Sequence, residues 1–138
     1  MTAIRRGGAD DLDAVASIQR ASPGAAVWRV ADYLGQDFLV ASDGNRIVGF
    51  LVARILAADE REILNLAVAP DFRRKGVARA LLAWVFEGFR GAVFLEVRES
   101  NGVAAKFYKS LGFKELSRRQ GYYSNPPETA IVMKFHSC

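Results

Sequence analysis

Apolar residues follow a helical spacing over 77–89, and they form nearly continuous or alternating runs in several shorter segments. The helical pattern is the clearest, because two neighbouring rows at i, i+4 spacing are apolar throughout: Val77, Leu81, Val85 and Phe89, and then Ala78, Leu82 and Phe86. Such rows are typical of an amphipathic helix that buries one face. The pattern therefore predicts a helix that begins after Gly76 and ends near Gly88 and Gly91.

The remaining patterns predict a mixed sheet with helices on its faces. Turn residues at 42–45 separate two apolar runs and indicate a hairpin. The predicted strands are 3–6, 38–41, 47–55, 62–68, 92–97, 113–119 and 130–135, and the other predicted helices run from Asp10 or Asp11 to about Arg20, from about 28 to 34, and from Ser100 or Asn101 to 111. The order β-α-α-β-β-β-α-β-α-β-β indicates the α/β or α+β class and one domain over 1–138.

The amino-acid composition limits the classes of function that the protein can have. The 138 residues carry 51% hydrophobic residues, enough for a core, and 19 basic against 15 acidic residues give a net charge of +4. Much of that excess lies in one short turn, which indicates a local anion site and no direct contact with nucleic acid. Cys138 is the only cysteine, so no internal disulfide forms. No signal peptide or membrane-spanning run is recognisable, and we expect a cytoplasmic protein.

The basic turn lies between a predicted strand and the clearest helix. Its cations are Arg73, Arg74, Lys75 and Arg79, with little side-chain bulk at Gly76 and Ala78. A helix N-terminus with free N–H groups and flanking cations is suited to a phosphate group. The turn fits Arg/Gln-x-x-Gly-x-Gly/Ala and neither of the common nucleotide-binding motifs. An ordinary solvated basic turn is the alternative interpretation.

A single acid interrupts the apolar strand at 92–97. Strand alternation places Phe94 and Glu96 on one face and Val93, Leu95 and Val97 on the other. Burying a carboxylate is costly unless it has a partner or a purpose. Glu96 is therefore a candidate functional residue, and the alternative is an acid that emerges into solvent at the end of its strand.

Two blocks downstream resemble a known family. They read Leu-Glu-Val-Arg-Glu-Ser-Asn over 95–101 and Tyr-Lys-Ser-Leu-Gly-Phe over 108–113, and Tyr108 follows Glu96 by twelve positions. Together with the motif at 73–78 they resemble the GNAT N-acetyltransferases, and within them the RimI branch, which acetylates the N-terminal alanine of a ribosomal protein. The resemblance covers 65–113 and resumes in Arg118-Arg119 and at 130–133.

The resemblance implies an acetyl-CoA-dependent transferase without a metal or a covalent enzyme intermediate. By family position Glu96 is the general base, acting directly or through water, and Tyr108 is the general acid. The implied acceptor is a peptide or protein N-terminus, such as that of a ribosomal protein. For Tyr108 the alternative interpretation is a helix residue that packs into the core.

The resemblance also assigns cosubstrate contacts. Backbone groups of Leu66, Ala67 and Val68 would pair with the pantetheine arm, and Arg73 would flank the diphosphate. Asn101 would bond the cosubstrate or only cap the next helix, and both interpretations stay open. Amides that would bind the diphosphate belong to Arg74, Lys75, Gly76, Val77, Ala78 and Arg79.

The resemblance weakens where the acceptor would bind. The RimI branch carries a tryptophan between proline and serine, whereas Val27 and Arg29 flank Trp28, which is either a groove residue or core. One extra residue before Tyr122 and Tyr123 leaves open which of them contacts the acceptor. A GNAT enzyme for a small-molecule amine or a lysine side chain is a second hypothesis, and a coenzyme A-binding or nucleic-acid-associated module without catalysis is a third. Monomer and homodimer both remain open.

Overall fold

The computed structural model describes residues 2–22, 28–123 and 128–137, with only the backbone described at Tyr123 and Ser137. These residues contain seven strands, β1 (Thr2–Arg6), β2 (Asp37–Asp43), β3 (Arg46–Ala57), β4 (Glu60–Val68), β5 (Gly91–Arg98), β6 (Lys114–Tyr123) and β7 (Glu128–Ser137). The α-helices are α1 (Leu12–Arg20), α2 (Val77–Phe86) and α3 (Gly102–Ser110). Short 3₁₀ turns occupy Ala9–Asp11, Val30–Gly35 and Pro70–Phe72.

All seven strands form one mixed sheet in the order β1-β2-β3-β4-β5-β7-β6. Every neighbouring pair is antiparallel except β4 and β5, which are parallel. A parallel pair needs a crossover connection, and α2 lies in the one between β4 and β5. The α/β class and the strand order along the chain expected from the sequence are confirmed.

The sheet has a hydrophobic core on each face. Alternate residues of β2 face opposite sides, so that Leu39 belongs to the core under α2, whereas Val40 belongs to the core under α1. The first core includes Leu81 from α2, and the second includes Val15 from α1. The predicted apolar rows are confirmed as the buried face of α2 up to Phe86, where the helix ends earlier than predicted, and Phe89 is buried in the same core beyond its end.

Two local expectations differ from the structure. The second predicted helix is a six-residue 3₁₀ turn, Val30–Gly35, because so short a segment gains little from α-helical hydrogen bonds. Asp11 precedes α1, but its side chain does not cap that helix. Its carboxylate instead accepts the Gly8 N–H at 2.9 Å and two N–H groups of Arg5, each at 2.8 Å. The predicted breaks at 23–24 and 124–127 lie outside the described residues.

The parallel pair separates partway along its length. Its ladder runs from Glu60 and Ala92 to Ile63 and Leu95, although both strands continue for several residues. The opposite edge of β4 pairs with β3, where Ala53 pairs with Ile63 and the next residue, Val52, pairs with Asn65. Leu64 is therefore an extra residue on β4 and forms a β-bulge. A bulge bends its strand. The bend therefore coincides with the point at which β4 leaves β5.

Candidate active site

A cleft of about 560 Å³ lies where β4 and β5 separate. The chain reaches it from both separated strands, from the start of α2 and from α3. Of the residues proposed from the sequence, its lining includes Trp28, Leu66, Ala67, Val68, Arg73, Ala78, Glu96, Asn101, Tyr108 and Tyr122. Of these, Trp28 and Tyr122 lie 94 positions apart in sequence and are thus brought to one cavity.

Within the cleft, two backbone groups of β4 form hydrogen bonds with side chains. The Leu66 N–H donates to Oδ1 of Asn65 at 3.0 Å, and the Val68 carbonyl accepts from Nε of Arg73 at 3.1 Å. Buried backbone groups require partners, and here side chains supply them beyond the end of the β5 ladder. An extended ligand could take over these positions on the strand.

The turn before α2 presents backbone N–H groups. Arg74 and Gly76 both have positive φ, 62° and 82°, and the first helical hydrogen bond runs from the Ala80 N–H to the Gly76 carbonyl at 3.0 Å. The N–H groups of 77–79 consequently have no acceptor inside the helix, and no side chain caps it. Alternating backbone conformations at a helix N-terminus form an anion-binding cradle.

The side chains of this turn divide into two sets. Val77 is buried in the core, so only its amide is available to a ligand. Lys75 lies 5.0 Å from the Phe72 ring centroid, and Arg79 lies 5.7 Å from that of Phe107. Only Arg73 and Ala78 of this turn are among the cleft-lining residues. The others would act from the surface or through their backbone.

Arg73 already has protein partners. Besides the Val68 carbonyl, its Nη2 donates to the Ala21 carbonyl at 3.2 Å and to the Ser22 hydroxyl at 3.3 Å. The guanidinium therefore connects the end of α1 to the end of β4 beside the cleft. These two contacts were not predictable from sequence, because their partners lie about 50 positions away.

Glu96 occupies the position predicted by strand alternation. Val93, Leu95 and Val97 are buried in the core, and Glu96 points into the cleft from the opposite face of β5. Its side chain is 15% exposed, and its Oε1 accepts a hydrogen bond from Nη1 of Arg119 at 2.8 Å. The alternative of an acid that simply emerges into solvent is wrong.

Tyr108 both packs against the core and lines the cleft. The residue is 8% exposed, and its ring makes edge contacts with Phe107 and Phe113 at centroid distances of 5.3 and 5.5 Å. Burial raises the pKa of its phenol far above the ordinary value. Among the described residues no group hydrogen-bonds the hydroxyl, which leaves its proton available to a ligand in the cleft.

Asn101 caps α3, because its Oδ1 accepts the Ala104 N–H at 3.2 Å. The capping role expected from the sequence is confirmed. The same side chain also lines the cleft, and capping employs only its oxygen. Its amide nitrogen can still donate to a bound molecule.

The far end of the cleft holds two aromatic residues. Trp28 is 43% exposed and lines the cleft, so the interpretation of Trp28 as core is wrong. Tyr122 follows Gly121, whose φ is 66°, in a bulge of β6, and its ring lies 4.0 Å from the Arg119 guanidinium carbon. Burial, and then the Glu96 carboxylate, raise the pKa of Tyr122. The side chain of Tyr123 lies outside the described residues.

The lining also includes residues that were not predicted from the sequence, among them Glu62, Asn65 and Phe107. Glu62 contributes a second carboxylate and pairs with Arg54. Asn65 is a buried polar residue, and Phe107 adds an aromatic wall. The one available signal was Asn65 itself, a lone amide in the otherwise apolar run at 63–68.

The described parts of the chain add two observations. They contain no group of three or more His, Cys, Asp and Glu side chains placed to hold a metal ion. Their helices are all too short or too polar to cross a membrane.

The arrangement indicates a class of protein. A split parallel pair offers strand edges to an extended molecule, and the free amides at the start of α2 are suited to phosphate groups. A carboxylate and a protonated phenol line the same cleft. These are the parts of an acyltransferase that uses a coenzyme A thioester.

Comparison with known proteins gives the family. Residues 13–113 match the acetyltransferase (GNAT) family. The [ribosomal protein bS18]-alanine N-acetyltransferase of Salmonella typhimurium is 41% identical over 101 residues, which are 69% of this chain and 66% of that enzyme. The crystal structure of the corresponding Escherichia coli enzyme superposes with a TM-score of 0.83 at 28% identity, covering 99% of this chain and 94% of that one. Ard1 of Thermoplasma volcanium superposes with a TM-score of 0.88, also at 28% identity, covering 99% and 98%.

The chain belongs to the GNAT family of acetyltransferases, and acetyl-CoA is its cosubstrate. The alignment spans about two thirds of the length of the Salmonella enzyme.

Proposed function

We propose that this protein transfers the acetyl group of acetyl-CoA to the α-amino group of a protein N-terminus, such as that of a ribosomal protein, in the cytoplasm. The observation that carries the proposal is that one cleft contains Glu96, Tyr108 and the separated edge of β4. The named activity of the Salmonella and E. coli relatives supports the choice of acceptor.

The cosubstrate lies along β4 in this proposal. Its pantetheine arm bonds the backbone of Leu66, Ala67 and Val68 like an added strand and replaces the side-chain partners of Leu66 and Val68. The amides of 74–79 receive the diphosphate, flanked by Arg73. The amide nitrogen of Asn101 donates a further hydrogen bond.

Acetyl transfer is then a direct attack of the amine on the thioester carbonyl. The new C–N bond forms as the C–S bond breaks, Glu96 takes the proton from nitrogen, directly or through a water, and Tyr108 gives its proton to sulfur. A phenol whose pKa is raised by burial retains this proton at neutral pH. Each group touches one of the reacting atoms, and no step needs a metal.

The chemistry favours an α-amine over a lysine side chain. Their ordinary pKa values are ~8 and ~10.4, so the uncharged fraction at neutral pH is about 250 times larger for the α-amine. Because more of the α-amine is already uncharged, a single carboxylate is a sufficient base for its acetylation. Trp28 and Tyr122 line the cleft and would flank the first residues of the acceptor peptide, and Tyr123 is the alternative to Tyr122 in this role.

A panel of acceptors tests the proposal. Peptides that begin with alanine should be acetylated faster than the same peptides with a blocked N-terminus and a free lysine, and faster than small amines. Glu96→Gln should reduce kcat by about 10²–10⁴-fold and leave acetyl-CoA affinity unchanged. Glu99→Gln is the matched control, because Glu99 is an exposed partner of Arg118 in the turn after β5.

Two results would contradict parts of this proposal. Preferred acetylation of lysine or of a small amine would exclude the α-amino acceptor, and full activity of Glu96→Gln would remove the base. In cells, mass spectrometry with and without the protein should find a ribosomal N-terminus that is acetylated only in its presence.

A further inference from the structure

The Glu96 carboxylate is already paired before any acceptor arrives. Arg119 donates to its Oε1 at 2.8 Å, and the same guanidinium lies 4.0 Å from the ring centroid of Tyr122. Arg119 thus lies between a carboxylate and an aromatic face. The bulge that contains Gly121 turns Tyr122 back onto it.

The charges around Glu96 balance. From β4, Glu62 lines the same cleft and is paired with Arg54 of β3. From α3, Tyr108 faces the cleft as a neutral phenol, and from β7 the ladder partner of Glu96 is the apolar Val132. Two carboxylates are therefore paired with two guanidiniums. The acceptor end of the cleft, which is the end lined by Trp28 and Tyr122, thus offers little net negative charge to an ammonium ion.

We propose that Arg119 is a positioning residue that neutralises and orients Glu96, so that the acceptor amine binds in its uncharged, nucleophilic form. The proposal rests on the function given above. An unpaired carboxylate close to an amine stabilises the ammonium ion and raises the amine pKa by ~1–3 units, which opposes nucleophilic attack. A carboxylate neutralised by Arg119 lacks this effect but can still take the proton as the C–N bond forms.

The pH dependence of kcat tests this role. It is measured with saturating alanine-starting peptide and acetyl-CoA for the wild type, Arg119→Met, Arg119→Lys and Arg118→Met. In Arg119→Met the acidic limb should move up by about one pH unit or more, because the bound amine faces an unpaired carboxylate. Arg119→Lys should restore most of the wild-type profile.

Arg118→Met is the matched control, because Arg118 is adjacent on β6 but pairs with Glu115 and Glu99 at 2.6 and 2.5 Å. It loses the same charge and should keep the wild-type profile. Acetyl-CoA affinity should be the same in all four proteins, which shows that the cofactor end is intact.

Two outcomes overturn the role of Arg119. An acidic limb that stays in place in Arg119→Met would do so, whatever the loss of activity. Higher activity of Arg119→Met at neutral pH would instead show that the guanidinium competes with the acceptor. A wild type that acetylates no peptide would remove the proposed function itself, so the two failures are distinguishable.

Discussion

The hydroxyl of Tyr33 lies 3.1 Å from the side-chain nitrogen of Asn65, with both residues buried between α1 and the sheet. The same hydroxyl donates to Oε1 of Gln19 at 2.5 Å, and Nε2 of Gln19 donates to the Trp28 carbonyl at 2.9 Å. These bonds connect the bulged part of β4 to the segment that carries Trp28. The network therefore links the fold to the acceptor end of the cleft.

Removing the Tyr33 hydroxyl should destabilise the protein. In Tyr33→Phe, Asn65 and Gln19 each lose one hydrogen bond, although Nδ2 of Asn65 still donates to Oε1 of Gln19 at 3.2 Å. At about 0.5–1.5 kcal/mol for each bond, the two losses should lower the free energy of unfolding by about 1–3 kcal/mol. Urea denaturation measures this loss. We also expect a higher KM for the acceptor peptide, because the support of Trp28 is weakened, and an unchanged affinity for acetyl-CoA. A fully stable variant would show that the network contributes nothing.

Removing the hydroxyl of Tyr108 should have the opposite effects, with little change in stability and a large loss of activity. Tyr108→Phe removes a hydroxyl that no described group hydrogen-bonds, so the free energy of unfolding should change by less than about 1 kcal/mol. Loss of the general acid should reduce kcat by about 10²–10⁴-fold. Steady-state kinetics and urea denaturation of the two tyrosine variants give the comparison. Wild-type kcat in Tyr108→Phe would exclude the proposed acid.

Features set by local sequence were predictable. The apolar rows of α2 and the alternation of β5 depend on residues close together in the chain, and both patterns are present in the structure. The resemblance also located residues from two strands and two helices that line one cleft. Short periodic segments carry this information because one face of each must be buried.

Features set by distant contacts were not predictable. The bulge at Leu64 depends on how β4 pairs with β3. The ion pair between Arg119 and Glu96 joins residues 23 positions apart and depends on how their strands are placed in the sheet. The left-handed backbone of Arg74 was also missed, since a non-glycine residue rarely adopts it. Each of these features depends on tertiary structure that leaves no periodic pattern.

Replacing Gly76 should affect acetyl-CoA affinity more than the stability of the fold. Its φ of 82° disfavours any side chain, although no atom lies within 4 Å of an added Cβ. Gly76→Ala should therefore cost about 1 kcal/mol of stability and distort the amide cradle, which weakens acetyl-CoA binding at least several-fold. Calorimetric titration measures the affinity.

Gly44 provides the matched control for Gly76. It has a φ of 61° in the hairpin between β2 and β3, with nothing near an added Cβ, and it lies outside the cleft. Gly44→Ala should lose similar stability and keep wild-type affinity for acetyl-CoA. Equal losses of affinity in the two variants would show that the strain acts through general destabilisation.

Alkaline pH should destabilise the folded protein through its buried tyrosines. Burial raises the pKa values of Tyr33 and Tyr108 above the ordinary 10.0, so above about pH 10 the unfolded chain releases protons that the folded protein retains. The free energy of unfolding must then fall as pH rises, by up to about 1.4 kcal/mol per pH unit for each group. Tyr108→Phe removes one such group and should flatten the decline between pH 10 and 11, as measured by urea denaturation. An identical slope in wild type and variant would show that Tyr108 ionises as readily in the folded protein as in the unfolded chain.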